Sequence, residues 1–180
     1  WLDIHRSKKQ NPNENFSREL MELFTLGDEN YTQLDIVEAS RAFTGYVTNG
    51  VETNYDHESQ TGTGFWWDEW HDFEEKTVLG QTGPWTGDDI INILLEQEEC
   101  AVHICRRIYK WFVYDVVHEP VVEAMAFVLR ENDYELRPVL EFLFNTEHFY
   151  DSNFRGANIQ NPMSLLPGLV RKFGMEEFTY

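Results

Sequence analysis

A chain of 180 residues with 42% hydrophobic content is long enough to bury one core, and its 15% aromatic share, six Trp and thirteen Phe among them, predicts a core built on large rings. Fourteen Lys and Arg against thirty-two Asp and Glu give a net charge of −18, which repels phosphate backbones and anionic bilayers and argues against a nucleic-acid partner. No apolar run approaches the length of a membrane span, and the start at Trp1 rather than Met leads us to expect a piece of a longer protein.

In chain order, residues 13–26 are predicted to form the first helix. Phe16, Leu20, Leu23 and Phe24 recur at i, i+4, i+7 and i+8, Asn13 offers an N-cap after Pro12, and Gly27 a stop. A second helix follows Thr32, which with Asp35 matches a capping box; Ile36, Ala39 and Phe43 form its stripe and Gly45 ends it. These two predict a helix pair over 13–45. Over 46–85 the helical period disappears and rings cluster at Phe65, Trp66, Trp67, Trp70 and Phe73. Between Val51 and Glu99 thirteen Asp or Glu stand against Lys76 as the only basic residue, Arg included, so this aromatic loop is also strongly acidic. Phe65–Trp70 is expected to pair loosely with Lys76–Leu79.

From Thr86, a second capping box with Asp89, a helical bundle is predicted over 86–180, with helices at 87–97, 99–114, 120–131, 135–147 and 161–173. Pro120 and Pro138 suit first turns, whereas Pro167 should shorten or bend the last helix. Cys100 and Cys105, five apart in one helix, point in different directions and are not expected to pair. The expected fold is all-α: a single domain over 1–180 of six or seven helices, with a Trp-rich loop or short β-hairpin inserted after the second helix.

Three constellations carry potential chemistry. On the first helix Asn15, Arg18, Glu22 and Thr25 share a polar face with Glu19 at its boundary, which is either a solvated surface with one structural ion pair or the wall of a site. In residues 66–76, rings interleaved with carboxylates suit a sugar face, and adjacent His71 and Asp72 suit a divalent metal or acid–base work. Rings anchoring a loop is the plainer reading of that stretch. The third is a basic stripe, His103, Arg106, Arg107 and Lys110, which either holds an anion or neutralises the chain's own carboxylates; a charge of −18 favours the latter. His5, His57, His118 and His148 are isolated in sequence and are read as structural or exposed. Serine-nucleophile, phosphate-loop, dinucleotide, EF-hand and H-E-x-x-H patterns do not occur.

The stretch NPNENFSRELMELFTLG at 11–27, then Tyr31-Thr32-Gln33 with Asp35, Glu38, Arg41 and Thr44-Gly45, then His71-Asp72 with Lys76-Thr77-Val78-Leu79-Gly80, resembles the C-terminal half of the bacterial domain-of-unknown-function family numbered 1800. AVHICRRIYKWFV, VLEFLFNTEHFY and NPMSLLPGLV extend that resemblance toward the end of the chain. It implies a mostly helical, exported protein, longer at its N-terminus and encoded beside a sulfatase-like partner, without a defined activity. Many members of that family carry a small residue between His-Asp and Lys, where this chain has Phe73-Glu74-Glu75. The resemblance also joins the first helix to the His71–Lys76 loop, so that Asn13, Glu14, Asn15, Arg18, Glu19, Arg41, His71, Asp72 and Lys76 are expected to converge.

Three functions fit these residues. An accessory domain would bind a partner or ligand through an aromatic surface of Trp66, Trp67, Trp70 and Trp85. A hydrolase-like enzyme would use His71 and Asp72 with Glu14 or Glu19, as acid and base or around a divalent cation, completed by residues outside this chain. Alternatively the polar set is purely architectural, with Glu19 as its buried carboxylate.

Overall fold

The structure, a computed structural model, describes residue 2 and residues 4–48, 64–157 and 162–174. Among these residues it is mostly helical, with seven α-helices and two short antiparallel hairpins. Helix α1 (Glu14–Glu19) starts where Asn13 Oδ1 accepts the Phe16 amide at 3.1 Å. It then widens into a π-helical segment, Leu20–Thr25, that the apolar spacing does not reveal. The amides of Leu26 and Gly27 both reach back to the Met21 carbonyl, at 2.7 and 3.1 Å, and Thr25 Oγ1 donates to the Leu20 carbonyl at 2.8 Å. Gly27, at φ +72°, ends the segment, and a Cβ there would lie 2.8 Å from the His103 ring.

Helix α2 (Gln33–Ala42) begins at the predicted capping box, Thr32 with Asp35, and crosses α1 with Phe16 edge-on to Phe43 at 4.8 Å. Strand β1 (Tyr46–Thr48) pairs with β2 (Gly64–Trp66), and β3 (Lys76–Val78) with β4 (Gln81–Gly83). The expected pairing of Phe65–Trp70 with Lys76–Leu79 is therefore wrong. After β2 the chain leaves the sheet through a 3-10 turn at Asp68–Trp70, and Lys76–Val78 finds a local partner through Leu79 and Gly80, whose φ of +49° and +82° are the paired positive values of a type I′ turn. The part of the acidic stretch at 49–63 lies outside the described residues.

The bundle follows as α3 (Gly87–Glu96), α4 (Glu98–Phe112), α5 (Glu119–Glu131), α6 (Leu136–Phe144) and α7 (Pro162–Phe173). The Thr86–Asp89 capping box is present, and Pro120 and Pro138 sit in first turns. Pro167 lies inside α7 without shortening it; the carbonyl its missing N–H would free belongs to Met163, 84% exposed, where water can serve it.

Two buried clusters flank α4. One joins α1, its π segment, α2, β3 and α3 around Met21, Ile36, Phe43, Val78 and Leu94. The other joins α4, α5 and α6 around Cys105, Tyr109, Met125, Leu129 and Leu143. Cys100 faces the first and Cys105 the second, so the two thiols are buried, free and turned apart as their spacing predicts. Burial pushes the Cys105 thiol up to about 12, which keeps it protonated.

Candidate functional site

Helix α2 and the turn after it carry Asp35, Glu38, Arg41 and Thr44 at intervals of three residues, a ridge inclined to the helix axis. The segment 71–79 runs along that ridge in the opposite direction, and each ridge residue holds it. Asp35 Oδ1 accepts the Leu79 amide at 2.7 Å, and Glu38 Oε2 accepts the Thr77 amide at 3.3 Å. Arg41 donates from Nε to Asp72 Oδ2 at 2.7 Å, from Nη2 to Asp72 Oδ1 at 3.3 Å, and from Nη1 to Glu38 at 2.8 Å and the Glu75 carbonyl at 3.2 Å. Thr44 Oγ1 accepts the Asp72 amide at 2.9 Å while donating to the Arg41 carbonyl. Four side chains thus replace the strand partner that β3 lacks on this edge.

Lys76, fully buried, closes the loop from inside. Its ammonium donates to the carbonyls of Asp72 (2.5 Å) and Glu74 (2.8 Å). Burial, with Arg41 nearby, lowers the Lys76 pKa against the opposing pull of Asp72, Glu38 and Glu74. Burial acts in the other sense on Asp72, yet the Arg41 guanidinium and the Glu74 amide outweigh it and hold that carboxyl below its ordinary value.

His71 is 1% exposed, with Trp66 at 4.4 Å on one ring contact and Phe73 edge-on at 4.7 Å. Its Nδ1 lies 2.8 Å from the Thr44 carbonyl, and a carbonyl can only accept, so Nδ1 carries the proton and Nε2 a lone pair. That Nε2 is buried without a hydrogen-bond partner among the described residues. Burial and the neighbouring Lys76 ammonium lower the His71 pKa, keeping the ring neutral.

The expected convergence is divided. Arg41, His71, Asp72 and Lys76 meet as predicted, but on α2 rather than α1. Glu14 and Arg18 of α1 instead share Gln33, whose Nε2 donates to Glu14 at 3.1 Å and whose Oε1 accepts from Arg18 at 2.8 Å. Asn13 is occupied as a cap, its Nδ2 donating to the Leu2 carbonyl and its amide to Ser7 Oγ, and Asn15 is exposed. Glu19 is half-buried and has no hydrogen bond or ion pair to another described residue, so Glu19→Gln should change stability by no more than about 0.5 kcal/mol, read by thermal melting. A large loss would return Glu19 to the network. The proposed metal set of Glu14, Glu19, His71 and Asp72 does not gather: no cluster of three metal-ligating side chains exists among the described residues, and both Asp72 oxygens face Arg41.

The aromatic residues divide too. Trp67 stacks on Trp70 at 5.1 Å and 10°, with Lys8 Nζ 3.5 Å over the Trp70 ring. Trp66 (38% exposed) and Phe73 (63%) lie beside them around His71, with Asp68, Glu69, Glu74 and Glu75 exposed along the edge. Trp85 stands apart, packed on the first core cluster with Nε1 donating to the Gln81 carbonyl at 3.2 Å.

The basic stripe serves the chain's own carboxylates through Arg106, which pairs with Glu99 (2.6 Å) and Glu119 (3.2 Å), as the charge balance favours. Two features were missed. His103 and Arg107 both donate to the Leu23 carbonyl, freed at the end of the π segment. His118 and His148, distant in sequence, have rings 4.9 Å apart, and His148 Nε2 lies 2.8 Å from the buried Tyr109 hydroxyl. Burial first, and His118 second, lower the His148 pKa. A histidine whose folded pKa lies below its unfolded value of 6.5 binds its proton more readily when unfolded, so His71 and His148 remove stability as pH falls below about 6.5. Urea unfolding at about pH 7.5 and about pH 5.5 should show the loss; equal stability at both would contradict it.

No curated protein and no solved structure matches the chain. No described helix is long and apolar enough to cross a membrane. The family model described as "Protein of unknown function (DUF1800)" matches residues 1–179, and the chain, with its His71-Asp72 and Lys76 loop gripped by the second helix, belongs to that family.

Proposed function

We propose that this chain is a partner-binding accessory domain of an exported protein, and that the α2 ridge exists to present the aromatic ledge of Trp66 and Phe73. The observation that supports this reading is the contrast between the two halves of the site. The charged groups Arg41, Asp72 and Lys76 are consumed in holding the loop, whereas the rings of Trp66 and Phe73 and the carboxylates of Glu69 and Glu75 stay open; Glu74 lies 3.4 Å from Arg41 Nη2, and Asp68 accepts the Trp66 Nε1 proton at 2.6 Å. A ledge of exposed rings bordered by Asp68, Glu69, Glu74 and Glu75 suits a protein segment carrying Arg or Lys beside apolar residues, through cation–π contact and charge pairing. The sulfatase-like protein suggested by the family resemblance is the partner to test.

Titration of the chain with that purified protein, followed by tryptophan fluorescence, should saturate, and Phe73→Glu should weaken binding at least tenfold while leaving the melting temperature unchanged. No saturable change, or one that survives Phe73→Glu, rejects the reading. A hydrolase-like role is favoured by a single feature, the buried and unpartnered Nε2 of His71, which is poised as a base. In that reading the acid and the substrate contacts come from residues outside the described network, because Asp72 is committed to Arg41.

A further inference from the structure

Tyr109, fully buried on α4, meets two histidines that lie far from it in sequence or beyond the end of its helix. His148 Nε2 stands 2.8 Å from its hydroxyl, and the hydroxyl oxygen also faces the backbone amide of His118. An amide only donates, so among the described residues the acceptor for the Tyr109 proton is His148 Nε2, and the imidazole is the neutral Nδ1–H form. That bond fastens residues 147–154 to α4. The segment is two 3-10 turns, Glu147–Tyr150 and Ser152–Phe154, whose rings rest on the second core cluster. Phe149 lies 4.9 Å from Phe144, and Phe154 lies 4.9 Å from His148 and 6.1 Å from Tyr114. No ion pair ties this segment to the bundle among the described residues.

Acid opposes the arrangement in two ways. A second proton on His148 turns Nε2 from acceptor into donor and leaves the Tyr109 hydroxyl hydrogen without an acceptor in an apolar cluster. His118, exposed, is the N-cap residue of α5, and its ring lies 4.9 Å from that of His148. A cation there adds to the positive end of the helix dipole and faces the neighbouring imidazolium. The titratable groups against His148 are therefore Tyr109 from α4, His118 from the head of α5 and Asp151 from the segment itself. Asp151 alone favours the proton, but it is exposed and accepts the Asn153 amide at 2.8 Å. Glu119, beside His118, is paired with Arg106 at 3.2 Å. We propose that residues 147–154 form an acid-released strap: His148, while neutral, fastens them to Tyr109, and once His148 and His118 both carry protons, on the acid side of about pH 6, the strap lifts while the α4–α6 core stays folded. Release uncovers Phe144 and the Tyr109 hydroxyl and frees the segment that leads toward α7.

Hydrogen exchange at single-amide resolution tests this, with rates corrected for their intrinsic pH dependence. Between about pH 7.5 and about pH 5 the strap amides of Phe149 and Phe154, which donate to Thr146 Oγ1 and the Asp151 carbonyl, should lose at least tenfold in protection while Leu129 and Leu143 keep theirs. His148→Gln removes the titrating ring, so strap protection, whatever its level, should no longer change with pH. His118→Gln should raise the midpoint of the His148 ring in an NMR titration and shrink the loss of strap protection. Equal strap protection at both pH values in the parent overturns the proposal. So does a loss that His148→Gln leaves in place, or one that Leu129 and Leu143 share equally, which would be unfolding of the whole bundle. The strap packs on the second cluster and the α2 ridge on the first, so the outcome is independent of partner binding at Trp66 and Phe73.

Discussion

Arg41→Ala is expected to cost about 3 kcal/mol, which for a chain of this size lowers the melting temperature by roughly 6–12 °C. Its guanidinium makes a two-pronged contact with Asp72 and also reaches Glu38, and these side chains are only 13–19% exposed. Truncation leaves two carboxylates facing each other with their compensating charge gone, and releases the carbonyl of Glu75. The residual exposure admits some water, which is why the estimate sits at the lower end of the range for a broken buried pair. Arg41→Lys should recover only part of the loss, because one ammonium cannot match the fork that engages both Asp72 oxygens. By contrast Arg18→Ala, which removes an exposed hydrogen bond to Gln33, should stay within about 0.5 kcal/mol. Differential scanning calorimetry of the three variants measures the ordering, and an Arg41→Ala protein that melts with the parent would refute it.

Lys76 supplies the second large effect. Lys76→Met keeps much of the apolar stem but strips the donors from the Asp72 and Glu74 carbonyls, at a cost of about 2 kcal/mol after allowing for the desolvation of a charge that is no longer buried. Lys76→Ala adds a cavity and should cost about 4 kcal/mol. The pH dependence has a definite sign. The folded pKa of Lys76 lies below its ordinary 10.5, so between the two values the unfolded chain holds more protons and the Lys76 contribution to stability rises with pH. Below that window the charge remains buried at a constant penalty. The stability difference between parent and Lys76→Met, measured by urea unfolding at increasing alkaline pH, should therefore widen; a difference that narrows would mean that the ammonium is better stabilised in the fold than in water.

The elements that sequence reasoning recovers are those specified within a few residues. Asn13 as a cap, the Thr32–Asp35 and Thr86–Asp89 boxes, Pro120 and Pro138 in first turns, and the divergence of Cys100 from Cys105 all rest on local backbone chemistry. The hairpin at 76–83 was hidden because its turn uses Leu79 at a positive φ, where Asn or Asp would have signalled it. The pairing of Tyr46–Thr48 with Gly64–Trp66 joins residues separated by a long interval, and no local signal specifies such a partner. The π segment depends on Thr25 and Gly27 reaching back to Leu20 and Met21, which apolar spacing does not encode.

The site was half legible for the same reason. The family resemblance brought Arg41, His71, Asp72 and Lys76 together, whereas the three-residue spacing of Asp35, Glu38, Arg41 and Thr44 went unread, because an inclined polar row on a helix carries no mark of what packs along it. Which helix received the loop was not visible, because α1 and α2 each offer acids and an Arg. Packing decided it: the contact of Gly45 with His71 leaves no room for a side chain, a Cβ there meeting His71 at 3.0 Å and the Trp67 carbonyl at 3.1 Å, so the loop is seated at the end of α2.

Hydrogen exchange at single-amide resolution tests most directly whether the α2 ridge holds the loop. The amides of Asp72, Thr77 and Leu79 donate to Thr44, Glu38 and Asp35, and should be protected well above the surrounding loop residues. In Arg41→Ala, protection at Asp72 and Thr77 should collapse while that of Tyr109 and Leu129 in the second core persists. Rapid exchange of all three amides in the parent, or protection that Arg41→Ala leaves intact, would contradict the account.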